Sequence, residues 1–321
     1  MKYPTLRHPS RYVWDFWYWY DQAAHRFHLF YLNAPAAAAG GAHHDLATVG
    51  YGVTADFTTI EWGPPDVLAA SPDSWDNRAI WSGDVVRVRE GFLLFYTSCD
   101  RSLDDGYTQA IGIAAAPQID ARHWQRTPVL PLGVTGAAYE PRSLKGDASI
   151  HAWRDPFLFR REDSSYMLLA AKAVGLPLGR NGAVALLQAP GQQLSQWQPQ
   201  LPLVSPGDYS EMEVPQLYQR RDGRLELLFS STAALDFNPD QPHRGGLYGI
   251  GGQRLEDLAW QPPRNYLPAA SGLYACRAIP ELEGELVGFD LATGGIRRSG
   301  VKTYLDSLDR NFSNCTLGER A

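Results

Sequence analysis

The run Phe92-Leu93-Leu94-Phe95-Tyr96 has four counterparts in this chain of 321 residues. They are Phe27-His28-Leu29-Phe30-Tyr31, Tyr166-Met167-Leu168-Leu169-Ala170, Leu225-Glu226-Leu227-Leu228-Phe229 and Glu285-Leu286-Val287-Gly288-Phe289. Between Phe30, Phe95, Leu169, Phe229 and Phe289 the steps are 65, 74, 60 and 60 residues, and the first four runs are followed by Trp62, Trp124, Trp197 and Trp260. Such repetition predicts an all-β fold, a five-bladed β-propeller with a four-stranded antiparallel sheet in each blade around a central pocket.

Each run is interpreted as the second strand of a blade, because a short polar turn and a further apolar stretch precede it. The innermost strands should then begin near residues 15, 84, 155, 213 and 276. The longer loops that follow the second strands, 33–47 and 232–246 in particular, should lie at the pocket mouth and contact the ligand. We expect residues 1–321 to form a single propeller domain with a short tail from about residue 300 onward.

Charge and cysteine content indicate which classes of partner and which cellular compartment the sequence favours. A net charge of −6 argues against nucleic acid and anionic membranes as partners, and it leaves the oligomeric state open. The three cysteines are odd in number, widely spaced and without metal-ligand spacing, which is typical of free thiols in a reducing compartment. The N-terminus lacks the apolar run of a signal peptide, so the sequence favours a cytoplasmic location.

Acidic residues stand at or beside the start of four innermost strands: Asp15, Asp84, Asp155 and Glu213. They are far apart in sequence, so only the repeat geometry would bring them together. Carboxylates that face one pocket repel each other, which tends to keep one of them protonated. A neutral acid beside an ionised carboxylate is what cleavage of a glycosidic bond requires.

At these residues the chain resembles glycoside hydrolase families 32 and 68. Val13-Trp14-Asp15-Phe16-Trp17 is similar to the Val-Trp-Asp-Ser-Trp motif of family 68 levansucrases and inulosucrases, and it stands where family 32 invertases carry Asn-Asp-Pro. Trp81-Ser82-Gly83-Asp84 resembles their (Trp/Phe)-Ser-Gly-Ser motif, and Arg154-Asp155-Pro156 matches their Arg-Asp-Pro motif. Glu211-Met212-Glu213-Val214-Pro215 resembles Glu-Ile-Glu-Arg-Pro of family 68 and Glu-Cys-Pro of family 32.

The resemblance implies a retaining glycosidase or transglycosidase acting on β-fructofuranosyl substrates such as sucrose, without a cofactor. Asp15 would be the nucleophile, Glu213 the acid/base, and Asp155 would hold sugar hydroxyls and stabilise the transition state. The residues expected to bind this carbohydrate substrate are Trp14, Trp17, Trp81, Ser82, Asp84, Arg154 and Glu211. Asp84 stands where the relatives have Ser and would add a negative charge that disfavours phosphorylated sugars.

Several alternatives stay open at this point. Glu211 competes with Glu213 for the acid role, and Glu213 is favoured because it directly precedes Val-Pro. His43-His44-Asp45 lacks a nearby third ligand, so no metal site is predicted. An inverting pentosidase of the family 43 type and a catalytically silent carbohydrate-binding propeller are the rival functions. Whether water or a sugar is the acceptor is undetermined.

Overall fold

A computed structural model of the chain describes residues 3–104, 106–142, 151–240 and 243–317; residues 318–321 of the predicted tail lie outside these ranges. Five antiparallel sheets follow one another along the chain, and the first strands of consecutive sheets contact each other. The ring closes where the first strand of the first sheet contacts the second strand of the fifth. This arrangement is a five-bladed β-propeller, which confirms the predicted fold class.

The first blade contains β1 (Arg11–Asp21), β2 (Arg26–Pro35), β3 (Thr48–Thr54) and β4 (Glu61–Trp62), with 3₁₀ turns at Ala36–Ala38 and Ala42–Leu46. The second contains β5 (Trp81–Val88), β6 (Gly91–Cys99), a short helix α1 (Arg101–Asp104), β7 (Gln109–Ala116) and β8 (Gln125–Arg126). The third contains β9 (Trp153–Arg161), β10 (Ser164–Lys172), β11 (Gly182–Pro190) and β12 (Gln198–Pro199).

The fourth blade contains β13 (Glu213–Arg220), β14 (Leu225–Ser231), β15 (Gly246–Gly252), a short helix α2 (Leu255–Leu258) and β16 (Arg264–Pro268). The fifth contains a 3₁₀ turn (Ala269–Ser271), β17 (Leu273–Ile279), a second 3₁₀ turn (Pro280–Leu282), β18 (Glu285–Asp290) and β19 (Ile296–Lys302). A last strand, β20 (Leu305–Ser307), returns to the fourth blade. The innermost strands therefore begin within a few residues of the predicted positions.

Blades four and five depart from the predicted four strands. The fourth has five strands because β20 pairs with β13, and the fifth has three strands. Beside β19, the backbone of Leu6 exchanges two hydrogen bonds with Ile296, at 2.8 and 2.9 Å. The N-terminal segment thus occupies the outer edge of the fifth blade and joins the two ends of the ring.

The repeated aromatic residues pack one blade against the next. All five anchor residues of the hydrophobic runs are buried. Trp124 packs edge-on against Phe30 of the preceding blade, with ring centroids 5.4 Å apart, and Trp197 packs in the same way on Phe95. Trp62 packs edge-on against Tyr31 of its own blade, with ring centroids 5.1 Å apart. Trp260 is 84% exposed, and Leu255 and Leu258 of α2 are buried in the core between the third and fourth blades.

The three cysteines, Cys99, Cys276 and Cys315, are buried and form no disulfide bond. Within the described part of the chain, no helix is long and apolar enough to cross a membrane.

Candidate active site

A local irregularity recurs in every innermost strand. Its pairing register with the second strand shifts by one residue near the end that faces the loops after strand 2. The shift lies between Val13 and Phe16 in β1, Trp81 and Gly83 in β5, Arg154 and Phe157 in β9, Glu213 and Gln216 in β13, and Tyr274 and Arg277 in β17. A bulge changes the direction of the side chains beside it, and bulges are common next to active sites.

These bulges surround a central cavity of about 770 Å³ that is lined by residues from all five blades. Asp15, Asp155 and Glu213 line it together, although 198 positions separate the first from the last. The repeat geometry therefore brings the three predicted carboxyl groups to one place.

Asp15 lies in the β1 bulge and is partly exposed to the cavity. One carboxyl oxygen accepts a hydrogen bond of 2.6 Å from the Ser82 hydroxyl of the next blade. Burial raises the pKa of Asp15 from 3.8 to about 7, and repulsion from Asp155 and Glu213 adds to this rise. The Ser82 hydrogen bond and the charge of Arg277 act in the opposite direction.

Asp155 connects three blades at the floor of the site. Its backbone N–H donates to the Thr97 hydroxyl of the second blade at 3.1 Å, and its carboxylate accepts from the backbone N–H of Val214 in the fourth at 2.9 Å. Burial raises the pKa of Asp155 to about 6, Arg154 opposes this rise, and the charge of Glu213 adds to it. The carboxyl group is thus held rigidly beside the cavity.

Backbone strain accompanies the bulges in three blades. Asp155, Val214 and Ala275 adopt positive φ angles of 60°, 48° and 48°. Such angles are unfavourable for residues with a Cβ atom, most of all for β-branched valine, and cost of order 1–3 kcal/mol each. In the second blade the bulge contains Gly83, where a Cβ atom would lie 2.2 Å from the Phe95 carbonyl oxygen.

Glu213 is held by two hydrogen-bond donors. The Arg154 guanidinium contacts Oε1 at 2.8 Å, and the Tyr274 hydroxyl donates to Oε2. The same guanidinium nitrogen of Arg154 contacts Glu211 Oε2 at 2.9 Å. Burial alone would lower the pKa of Arg154, but the carboxylates of Glu211, Glu213 and Asp155 raise it above its usual range. Burial and Glu213 raise the pKa of Tyr274 well above its usual value, so the phenol stays protonated and donates.

Aromatic and imidazole rings form the upper wall of the cavity. Trp14 and Trp81 both line it, and the Trp81 indole donates 3.0 Å to the His44 carbonyl. His43 packs edge-on against Trp14, with ring centroids 4.9 Å apart. Burial, aided by His43, lowers the pKa of His44 to about 4, so its imidazole is neutral near pH 7. In the described part of the chain, no three His, Cys, Asp or Glu side chains are arranged to hold a metal ion.

The two mouth loops contribute unequally. From 33–47, His43, His44 and Asp45 line the cavity, so this loop lies at the pocket mouth where the sequence predicts it. From 232–246 the lining residues are Thr232 and Leu235. Asp236 is instead buried within its own loop, where its carboxylate accepts from the backbone N–H groups of Asn238 and Gly245.

Two of the predicted substrate-binding residues are absent from the cavity lining. Trp17 is fully buried and stacks on Phe30 in the core, so it has no surface to offer a sugar. Asp84 is also fully buried, and its carboxylate accepts from Arg310 at 2.6 Å and from the backbone N–H groups of Val85 and Leu158. Asp84 lies deeper along its strand than Ser82, and there it anchors the C-terminal segment. The structure therefore corrects the prediction that Trp17 and Asp84 bind the substrate. Ser82, Arg154 and Glu211 do line the cavity.

Sequence reasoning missed Tyr274, Gln109 and Arg78, all of which line the cavity. A signal for Tyr274 was present in the repeat, since Tyr274 lies 15 positions before the anchor Phe289, the same interval that separates Asp15 from Phe30. Arg78 forms an ion pair of 2.8 Å with Asp45 and lies over the Trp81 ring. Nothing in the local sequence distinguishes Arg78 from an ordinary surface arginine.

Comparison of the sequence with profiles of known protein families identifies the family of this propeller. The profile of the Glycosyl hydrolases family 32 N-terminal domain matches residues 18–285. The chain belongs to glycosyl hydrolase family 32. It is accordingly a glycosidase, in agreement with the class predicted from the four motifs. No curated protein sequence matches this family 32 chain.

Solved structures share the propeller of this family 32 chain. An inulosucrase from Halalkalicoccus jeotgali, bound to kestose, has 21% identity and a TM-score of 0.70, over 100% of this chain and 94% of its own. The β-fructofuranosidase catalytic domain of Microbacterium saccharophilum K-1 has 17% identity and a TM-score of 0.66, over 92% and 78%. A levansucrase from Gluconacetobacter diazotrophicus has 17% identity and a TM-score of 0.60, over 92% and 79%. At these identities the likeness concerns the fold.

Proposed function

We propose that this family 32 chain is a retaining fructosyl glycosidase or transglycosidase that cleaves β-fructofuranosyl bonds, with Asp15 as nucleophile and Glu213 as acid/base. The observation that carries the proposal is the placement of Asp15 and Glu213, from blades one and four, on one cavity in a family 32 propeller. Structures of the same fold that are named inulosucrase, levansucrase and β-fructofuranosidase support the choice of a fructosyl substrate.

In the first step, an Asp15 oxygen bonds to the anomeric C2 of the fructosyl unit while the bond from C2 to the leaving oxygen breaks. Glu213 gives its proton to that leaving oxygen, so a neutral alcohol departs and Asp15 carries the fructosyl group. The Ser82 hydroxyl, which donates to Asp15, fixes the direction of attack.

In the second step, the Glu213 carboxylate takes a proton from water or from a sugar hydroxyl. The acceptor oxygen bonds to C2, the bond from C2 to Asp15 breaks, and both carboxyl groups return to their starting states. Arg154 and Tyr274 hold Glu213 in place through both steps. Asp155 is suited to bind ring hydroxyls and to stabilise the positive charge that develops at C2.

Stereochemistry tests this proposal. The protein should release fructose from sucrose, and in the presence of methanol it should form methyl β-fructofuranoside, because two displacements at C2 restore the starting configuration. Carbon-13 NMR of the methyl glycoside identifies the anomer, because C2 of a fructoside carries no proton. The α-anomer would indicate an inverting enzyme, release of pentose from aryl arabinofuranosides alone would indicate the pentosidase alternative, and binding without turnover would indicate the silent propeller.

A further prediction concerns substrate charge. Among the described residues, five carboxyl groups line the cavity, from Asp15, Asp45, Asp155, Glu211 and Glu213. Arg78 and Arg154 also line the cavity and are already paired with some of these carboxyl groups. A phosphate on the sugar would add negative charge beside these groups, so kcat/KM should be at least about tenfold higher for sucrose than for its phosphorylated form.

The control for substrate charge is Asp45→Asn, which removes one carboxylate and leaves Arg78 without its partner. This variant should lower the ratio of kcat/KM for sucrose to kcat/KM for its phosphorylated form. Added salt should narrow it as well, because the repulsion is screened. Asp84→Ser should leave the preference unchanged, since Asp84 lies outside the cavity lining. A wild-type preference for the phosphorylated sugar would contradict the prediction.

A further inference from the structure

Lys172, the last residue of β10, is a buried cation behind the site. The exposed fraction of its side chain is 0%. Its ammonium group contacts Glu211 Oε1 at 2.6 Å, donates to the Ser210 carbonyl at 2.7 Å and lies 3.4 Å from the Ser210 hydroxyl. A fully buried lysine is rare because removing its charge from water is costly.

The ammonium group begins a chain of alternating charges that ends at the acid/base. Lys172 contacts one oxygen of Glu211, and Arg154 contacts the other at 2.9 Å. The same nitrogen of Arg154 lies 2.8 Å from Glu213. Both oxygens of Glu211 are therefore occupied by cations, and one guanidinium nitrogen is shared between the two glutamates.

The lysine is specific to this blade. Lys172 lies two residues beyond Ala170, the partner of Arg154 before the register shift. The corresponding positions of the other four blades hold uncharged residues, Pro35, Cys99, Thr232 and Leu291. The fold therefore accepts a neutral residue at this position, and the charge occurs where Glu211 adjoins it.

We propose that Lys172 is a positioning residue for Glu213 that acts through Glu211 and Arg154; this inference rests on the proposed role of Glu213. By holding one oxygen of Glu211, Lys172 limits the pull of that carboxylate on the shared nitrogen of Arg154. Without Lys172, Glu211 draws Arg154 toward itself and away from Glu213. Glu213 is then no longer held in position to transfer its proton to the leaving oxygen, and the site loses one positive charge.

Other ionisable groups also surround Glu213. They are Arg154 and Asp155 of the third blade, Tyr274 of the fifth, Asp15 of the first and His44 of the first mouth loop. Replacing Lys172 leaves all of these in the chain, so a change in the pH profile of kcat/KM would report the loss of the Lys172 charge.

The test compares Lys172→Met with wild type on sucrose and on an activated aryl β-fructofuranoside. We expect kcat/KM for sucrose to fall roughly ten- to hundredfold, as is typical when an outer-shell partner is lost. The loss on the aryl substrate should be much smaller, because that leaving group needs little protonation. The basic limb of the profile should move to higher pH, since removal of a nearby positive charge disfavours loss of the catalytic proton.

Two further variants complete the experiment. Lys172→Arg keeps the positive charge and should retain the wild-type position of the basic limb. If Lys172→Met does not fold, Lys172→Arg takes its place in the comparison with wild type. Cys99→Ala changes the corresponding buried position in the second blade and should leave the basic limb unmoved. Equal losses on both substrates with an unshifted limb would overturn the proposal. Failure of the proposed function would be distinct, because wild type would then turn over neither fructoside.

Discussion

Replacing Asp15 with Asn should lower kcat by roughly four to six orders of magnitude, as removal of a covalent nucleophile does in other enzymes. The amide has the size of the carboxyl group but cannot form the fructosyl ester, so ligand binding should persist. Measured against sucrose and an aryl β-fructofuranoside, the loss should be similar, because attack at C2 is required for both. A variant that keeps more than about one hundredth of wild-type kcat would show that Asp15 is not the nucleophile.

The same substitution should stabilise the fold at neutral and higher pH. The folded state raises the pKa of Asp15 from 3.8 to about 7, mainly through burial, so ionising this group costs more in the folded than in the unfolded chain. That cost is fully present above about pH 7 and disappears as the pH falls below about 4, where Asp15 is protonated in both states. Asp15→Asn should therefore raise Tm most at high pH and little at acidic pH.

Asp21→Asn is a matched control on the same strand. Asp21 ends β1 and accepts hydrogen bonds from the backbone N–H groups of Ala23 and Ala24 in the hairpin turn. We expect Asp21→Asn to leave kcat unchanged, because Asp21 lies at the end of β1 that is remote from the cavity. A fall in Tm for Asp15→Asn across the whole pH range would contradict the raised pKa of Asp15.

The sequence predicts the propeller well because its hydrophobic runs are local and repeated. Phe30, Phe95 and Leu169 are buried anchors of consecutive blades, and each lies in a second strand of the sheet. The bulges could not be predicted from these runs, since a bulge depends on how many residues the partner strand contributes. The closure of the ring is equally non-local, because Leu6 pairs with Ile296 at the other end of the chain.

The errors at the site have the same physical origin. Asp84 belongs to a motif at the start of an innermost strand like the other acidic residues, but its charge is paired with Arg310, 226 positions later in the chain. No local pattern indicates that partner. Lys172 and Arg78 were missed for the same reason, because each becomes significant only through an acidic residue on another element, Glu211 or Asp45.

Replacing Glu213 with Gln should slow cleavage of sucrose by roughly 10²–10⁴-fold, the contribution that a positioned general acid typically makes. The glutamine oxygen can still accept from Arg154, and its amide N–H can donate to the Tyr274 oxygen, but the side chain has no acidic proton for the leaving oxygen. The aryloxide of an aryl β-fructofuranoside leaves without protonation, so formation of the fructosyl-enzyme from this substrate should be nearly unaffected. Breakdown of that ester should then limit the rate, because no carboxylate remains to deprotonate water.

Azide distinguishes these two steps. It attacks C2 of the fructosyl-enzyme as an anion, releases Asp15 and needs no proton removed, so it should restore turnover of the aryl substrate by Glu213→Gln and yield β-fructosyl azide. Glu211→Gln is the matched control: Glu211 has both oxygens bound by Lys172 and Arg154, so its loss should slow both substrates comparably and should not respond to azide. Rescue of Glu211→Gln instead of Glu213→Gln would assign the acid/base to Glu211.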